Sequence, residues 1–281
     1  MSPSHTEVWL SRSLWLLASS AAALLLLIFL FLINESRLAV VDAHWLRFFN
    51  SPGWFPSAGQ FNLWPMLLAT VLATVGALAL AVPMGLAAAL FVSFFAPAPL
   101  ATTFRRLLML LAGIPSVVYG LWGLTVLVPL ITRVAPPGAS LLAAMLILAV
   151  MILPTVALTS EAALRTVPVN YWRGGQALGL SAQAILLKIA LPAARTGIVA
   201  GVLLATTRAL GETMAVLMVA GNVVQVPGSI FDSVRVLTAN IALEMAYATD
   251  AHRASLYVSS LMLTLVVVAI VLLGRRLEAK Q

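Results

Sequence analysis

The sequence predicts an all-α, polytopic membrane protein of six transmembrane helices, and three observations carry that prediction. First, 62% of the 281 residues are hydrophobic and only 9% are charged, where a soluble domain has about a quarter charged. A water-exposed fold of this length cannot hide so much apolar surface, so the bilayer is its natural solvent. Second, the apolar residues fall in six runs, about 14–33, 63–94, 107–131, 140–160, 194–221 and 255–274, and a spanning helix needs about 20 residues. Third, the basic residues divide unequally between the segments that link these runs. With the N-terminus inside, Arg12, Arg105, Arg106, Arg165, Arg173, Lys188, Arg195, Arg275, Arg276 and Lys280 face the cytoplasm. Arg37, Arg47, Arg133, Arg235 and Arg253 then lie outside, and Arg208 falls within the membrane. That asymmetry predicts that both termini are cytoplasmic.

The elements follow in order. The first apolar run exceeds the 7–15 residues of a signal-peptide core and no A-x-A site follows it, so it reads as a retained helix. Residues 34–62 hold Trp45, Phe49, Trp54 and Phe55 among turn formers, which suits an extracytoplasmic loop with aromatic anchoring at the interface. Residues 1–62 thus form an N-terminal unit and 63–281 the core. Pro83, Pro115 and Pro154 interrupt the second, third and fourth runs. Each removes a helix hydrogen bond, which a membrane tolerates where neighbours or a cavity satisfy the freed carbonyl. Between the fourth and fifth runs, "GLSAQAILLKIALPAA" predicts a cytoplasmic helix–turn–helix. Gly179 would end one helix and Pro192 the next, leaving an apolar face suited to docking on another protein. Residues 222–254 lie outside, and "SVRVLTANIALEM" there has helical spacing but is too short to span.

Several function classes are excluded. With no cysteine there is no disulfide, CxxC pair or thiolate metal site. His5, His44 and His252 lie far apart and outside the apolar runs, so no metal site is expected. The net charge of +7 is scattered, unlike a nucleic-acid footprint. No G-x-x-x-x-G-K-[ST] loop, H-E-x-x-H, G-x-S-x-G or kinase set occurs, so the chain is expected to be non-catalytic. The apolar exception is "TTRALGETMAV", which places Arg208 and Glu212 inside the fifth run. Arg208 lies about 14 residues in, or about 21 Å along a helix, near the bilayer middle. Spacing i, i+4 would put Glu212 on the same face, within ion-pairing reach.

The docking segment carries a resemblance. Gly179 followed after nine residues by Ile189-Ala190-Leu191-Pro192 is similar to the coupling loop of ABC importer permeases, G-x9-I-x-L-P. That family's loop begins E-A-A, where this chain has Arg173-Gly174-Gly175. "LLAGIPSVVYGLWGL", "ILPTVALTSEAALRTVP", "RALGETMAVLMVAGN", "FDSVRVLTANIALEM" and "GQFNLWPMLLATV" resemble the PstC-type permease subunits of bacterial phosphate importers, over roughly residues 59–276. The resemblance implies a type I ABC importer permease in the bacterial inner membrane, moving inorganic phosphate. It implies a PstA-like sister permease, two cytoplasmic ATPase subunits that bind ATP and Mg, an extracytoplasmic phosphate-binding protein and association with a phosphate-sensing regulator. No cofactor is expected on this chain. The coupling loop, about residues 165–192, would meet the ATPase through Arg173, Gly174, Gly175, Gly179, Ile189, Leu191 and Pro192.

Two readings of the charged pair then stand side by side. Arg208 and Glu212 lock their helix to a neighbour, or Arg208 faces the route and offers phosphate oxygens a planar fork while Glu212 moderates its field. A buried pair is often no more stabilising than good apolar packing, which favours the second. Arg235 either receives the anion at the mouth or is a solvated loop arginine paired with Asp232. Thr213 and Ser116 either donate to the anion or bond the backbone. Alternative functions are a permease for another oxyanion (molybdate, sulfate or phosphonate) and an autonomous secondary transporter.

Overall fold

Small residues decide where the helices of this protein meet. The computed structural model describes residues 5–42 and 47–279; His44, Trp45 and Lys280 lie outside the described residues. Helix α1 spans His5–Asp42, and α2 is the long run Trp64–Phe95. A bent pair follows, α3 (Ala98–Gly113) and α4 (Ser116–Thr132), then α5 (Leu141–Arg165). After α6 (Val169–Ala177), α7 runs Ala182–Gly211. Two short helices, α8 (Met214–Val219) and α9 (Leu237–Glu244), precede α10 (Asp250–Ala279).

Helix α5 is the central post, with 61% of its most apolar window buried. Against it α2 lays Ala69, Ala73, Ala77 and Ala81, one every four residues and all buried. That ridge lets the two backbones approach closely, as membrane helices do when small residues line the contact. Helix α7 packs on another face of α5 in antiparallel register. Gly197 meets Ala163, Gly201 meets Thr159 and Arg208 meets Thr155. A Cβ on Gly201 would collide with the Thr159 hydroxyl, so glycine there is a requirement of close approach.

The two ends of the bundle differ. One carries a hairpin, β1 (Trp54–Phe55) paired antiparallel with β2 (Gln60–Phe61). Its Trp54 and Phe61 enter a cluster with Phe48, Leu63, Met66, Leu237 and Leu256. The opposite end carries α6 and a smaller cluster of Ala89, Ala163, Leu164, Val167 and Ala194. Helix α1 stands mostly exposed and leans on α10, where Phe31 meets Tyr257 edge-on at 5.6 Å.

Four expectations need correction. The segment after residue 33 is not a loop, because α1 stays helical to Asp42. Trp54 does not anchor at an interface; it is 7% exposed and its Nε1 donates to Glu244 at 2.7 Å. The third apolar run is no straight span. It breaks at Ile114-Pro115 and turns through 92°, because proline pushes the preceding residue to extended backbone. Pro83 and Pro154, by contrast, sit inside unbroken helices. Pro192 does not end a helix either. The chain passes through a π-turn at Leu186–Ala190, where Leu191 N–H bonds Leu186 O, and continues helically to Gly211. The wider turn accommodates a residue that lacks an N–H, which sequence rules for α-helices do not anticipate.

Candidate functional site

The stretch around Arg208 is a broken helix. Helix α7 closes at Gly211, Glu212 is extended with φ −68° and ψ 127°, and α8 begins at Met214. The i, i+4 stacking expected for Arg208 and Glu212 therefore does not occur, and no ion pair joins them among the described residues. Arg208 reaches sideways, its Nη1 donating to Thr155 Oγ1 at 3.3 Å. Glu212 turns forward, and its Oε1 accepts the Ala215 N–H at 3.1 Å, capping α8. Each charge sits at the end of a half-helix whose dipole favours it, the cation at a C-terminus and the anion at an N-terminus. The break replaces mutual pairing with two separate helix-end interactions.

Depth comes from α5. Thr155 lies close to the middle of Leu141–Arg165, so the guanidinium stands near mid-height of the central spanning helix. The stacking of Arg208 and Glu212 expected from an unbroken helix is absent at this height. On α4, the Tyr119 hydroxyl donates to Leu111 O across the α3–α4 break at 2.7 Å. Two broken helices thus meet here, and α8 packs on α4 where Gly120 faces Met218 and Ala215. Irregular backbone at membrane depth persists only where protein or a polar cavity covers it. A small cavity lined by Thr70, Thr74, Glu212 and Thr238 adjoins the α7–α8 break.

The other expected donors are placed differently. Thr213 Oγ1 bonds Gly211 O at 3.2 Å. Ser116 opens α4 directly after the break, half-buried. Arg235 does not pair with Asp232, which instead accepts the Gly228 and Ser229 N–H groups at 2.7 and 2.9 Å. It pairs with Glu244 at 2.6 Å, while its Nη1 also donates to Asn240 and its Nε to Asn222 O, both at 3.0 Å. Glu244 further accepts from Trp54 and contacts His252 Nε2 at 2.8 Å. This knot ties the hairpin, the 222–236 segment, α9 and α10 together beside a groove of about 770 Å³. Glu244 was invisible as a hub because its partners are up to 190 residues away.

The α6 end has a matching cluster. Glu161 of α5, 4% exposed, accepts Arg105 Nε of α3 at 2.9 and 3.1 Å and Arg165 at 3.1 Å. Sequence spacing shows the Glu161–Arg165 pair, four residues apart, but not the partner from α3. Both ends of the bundle therefore hold arginines neutralised by a buried carboxylate. Between them Arg208 stands with a hydroxyl partner and no carboxylate among the described residues.

In the α6 segment, Gly179 adopts φ +73° as a helix-terminating residue, as expected from its position. Gly175 is buried against Ile185 and Ile189, whereas Arg173 and Gly174 are exposed. Leu191 packs on the α6-end cluster, and Pro192 is exposed.

Residues 81–280 match the family described as binding-protein-dependent transport system inner membrane component. The chain is 32% identical to the phosphate transport system permease protein PstC of Mesorhizobium japonicum, over 91% of this chain and 86% of that protein. It is 34% identical to the probable ABC transporter permease protein YqgH of Bacillus subtilis, over 93% and 86% respectively. In fold it is similar to an inward-facing structure of the MetNI methionine ABC transporter, with TM-score 0.59 and 21% identity over 76% of this chain and 92% of that one. Taken with the central post, the broken spans and the short helical pair at one end, these likenesses make the chain a member of the binding-protein-dependent transport system inner membrane component family, the permeases of ABC transporters.

Proposed function

We propose that this chain is the transmembrane permease subunit of an ATP-driven importer of inorganic phosphate, with both termini cytoplasmic in a bacterial inner membrane. Its partners in this reading are a PstA-like sister permease, two ATPase subunits that carry ATP and Mg, and an extracytoplasmic phosphate-binding protein. The single observation that carries the substrate reading is Arg208, a guanidinium at mid-height of the bundle with no carboxylate partner among the described residues. A guanidinium offers phosphate oxygens two parallel donors, and one already clamped by a carboxylate offers an arriving anion little. The relatives named for phosphate transport support the same cargo.

In this mechanism Arg208 meets the anion between the two neutralised ends, and Thr155 holds the side chain between encounters. Glu212 fixes the α7–α8 break that aims Arg208, so it anchors the site. Thr213 and Ser116 flank the two breaks, Ser116 as a hydroxyl within reach of the route and Thr213 as a backbone clamp. Arg235 frames the mouth through Glu244. Arg173, Gly174, Gly179, Ile189, Leu191 and Pro192 form the surface that meets the ATPase, and Gly175 holds the helix pair behind it.

The test is phosphate uptake by the assembled complex carrying Arg208→Gln. A charge-assisted hydrogen bond contributes about 1.5–3 kcal/mol, so uptake should fall roughly tenfold to a hundredfold. Complex assembly should be unchanged. Normal uptake by Arg208→Gln ends the pathway reading, and stronger competition by molybdate, sulfate or a phosphonate than by phosphate replaces the substrate.

A further inference from the structure

Two π-turns meet at one aromatic contact at the α6 end. The last residues of α2, Phe91–Phe95, are π-helical, as is Leu186–Ala190 of α7. The first π-turn ends α2, with Ala96 extended after it, whereas the second lies within α7; π-turns are frequent at functional sites. From the first turn Phe94 packs on Trp172 of α6, with ring centroids 4.9 Å apart and planes tilted by 37°. Leu186 of the second turn borders the same cleft, which has about 380 Å³ of empty space and is completed by Phe95, Ala182 and Gln183. The contact therefore has room to shift beside it.

The first π-turn has a second arm. Phe91 meets Phe104 of α3 edge-on at 6.0 Å. The next residue, Arg105, grips Glu161 of the central post. Within the turn the Ser93 hydroxyl is buried without a partner among the described residues. A continuous line of packed side chains thus runs from α6, through Trp172 and Phe94, across the turn to Phe91, Phe104 and the bent span. Chains of packed side chains of this kind can carry coupling between elements.

We propose that Trp172 and Phe94 form the mechanical link by which displacement of α6 reaches α2 and α3, across the π-turn that ends α2. This rests on the permease reading, in which α6 lies against an ATPase. Trp172 and Phe94 are positioning residues that act through α2 and α3 without touching the anion.

The absence of cysteine from the chain allows a rescue experiment in the full complex in proteoliposomes. Coupling is read as the ratio of ATP hydrolysis with phosphate-loaded binding protein to hydrolysis without it, and separately as phosphate taken up per ATP. Trp172→Ala and Phe94→Ala should each lower the first ratio about fivefold, the double variant no further, and Trp172→Phe should retain it. In a Trp172→Cys, Phe94→Cys variant the ratio should be low, rise when a short reducible crosslinker joins the two positions, and fall again on reduction. An unchanged ratio in the alanine variants, or a crosslink that restores nothing, overturns the link. Loss of assembled complex in every variant assigns the contact to folding alone and equally overturns it. If the unmodified complex couples its ATPase to the binding protein but takes up no phosphate, the cargo reading fails while the link remains measurable.

Discussion

Arg208 and Arg235 are the same residue type in opposite circumstances. Arg235 gives its donors to Glu244, Asn240 and the Asn222 carbonyl, so it organises protein. Arg208 gives one donor to a threonine, and in the proposed function its planar fork meets the anion. Arg208→Lys keeps the charge and loses the fork; uptake should fall between the unmodified chain and Arg208→Gln, measured as initial rates of labelled phosphate. Glu244→Ala tests the other arginine. It leaves the half-buried Arg235 without its anion, and breaking a buried pair costs about 3–5 kcal/mol. The thermal unfolding midpoint in detergent should drop clearly; an unchanged midpoint means that the knot does not hold the hairpin end. Glu212→Ala removes a helix-capping acceptor, a loss of about 1 kcal/mol. Its uptake defect should therefore be smaller than that of Arg208→Gln, and an equal or larger one shows that Glu212 itself handles the anion.

At the scale of elements, sequence periodicity located every apolar run and failed at the breaks. The run 194–221 reads as one helix because Arg208, Gly211 and Glu212 do not interrupt an apolar count strongly enough to signal an end. Folding ends it at Gly211 because Glu212 gains a cap and Thr238 donates to its carbonyl at 2.9 Å. Proline signals were ambiguous for a related reason. Pro83 sits on an exposed face of an unbroken helix and Pro154 is buried inside another, Pro115 bends the chain by 92°, and Pro192 is carried by a π-turn. Local rules give one cost for all four, and the surroundings decide which backbone response is cheapest. The α5–α7 contact makes an element-scale prediction. Gly201→Leu forces the helices apart against Thr159, and such overpacking costs about 1–3 kcal/mol. The unfolding midpoint should fall, while Gly174→Leu, which has nothing within 4 Å of its Cβ position, should leave it unchanged.

At the scale of the whole molecule, this chain presents one central post, two ends each tied by a buried carboxylate, and large exposed apolar faces. Val117, Val118, Leu121 and Trp122 of α4 are all exposed, surfaces that lipid or the proposed sister permease would cover. In the proposed function this subunit supplies half of a pore and the nucleotide sites belong to its ATPase partners. Reconstituted alone in liposomes, it should give no phosphate flux above the lipid background; flux without ATP or partners identifies an autonomous transporter instead. Composition by itself determined the solvent, because 62% apolar residues leave no aqueous alternative. The spacing of apolar runs determined the order of the long helices, five of which can span alone and a sixth only as a bent pair, and it set the charge of Arg208 within an apolar run. Tertiary structure alone decided which charges are neutralised. Arg105 with Glu161, and Arg235 with Glu244, are brought together by helix packing and end-loop folding, while Arg208 and Glu212, adjacent on a helical wheel, are turned apart by a break. Sequence spacing fixes neighbours only along an unbroken helix, and the positions where this protein breaks its helices depend on partners distant in the chain.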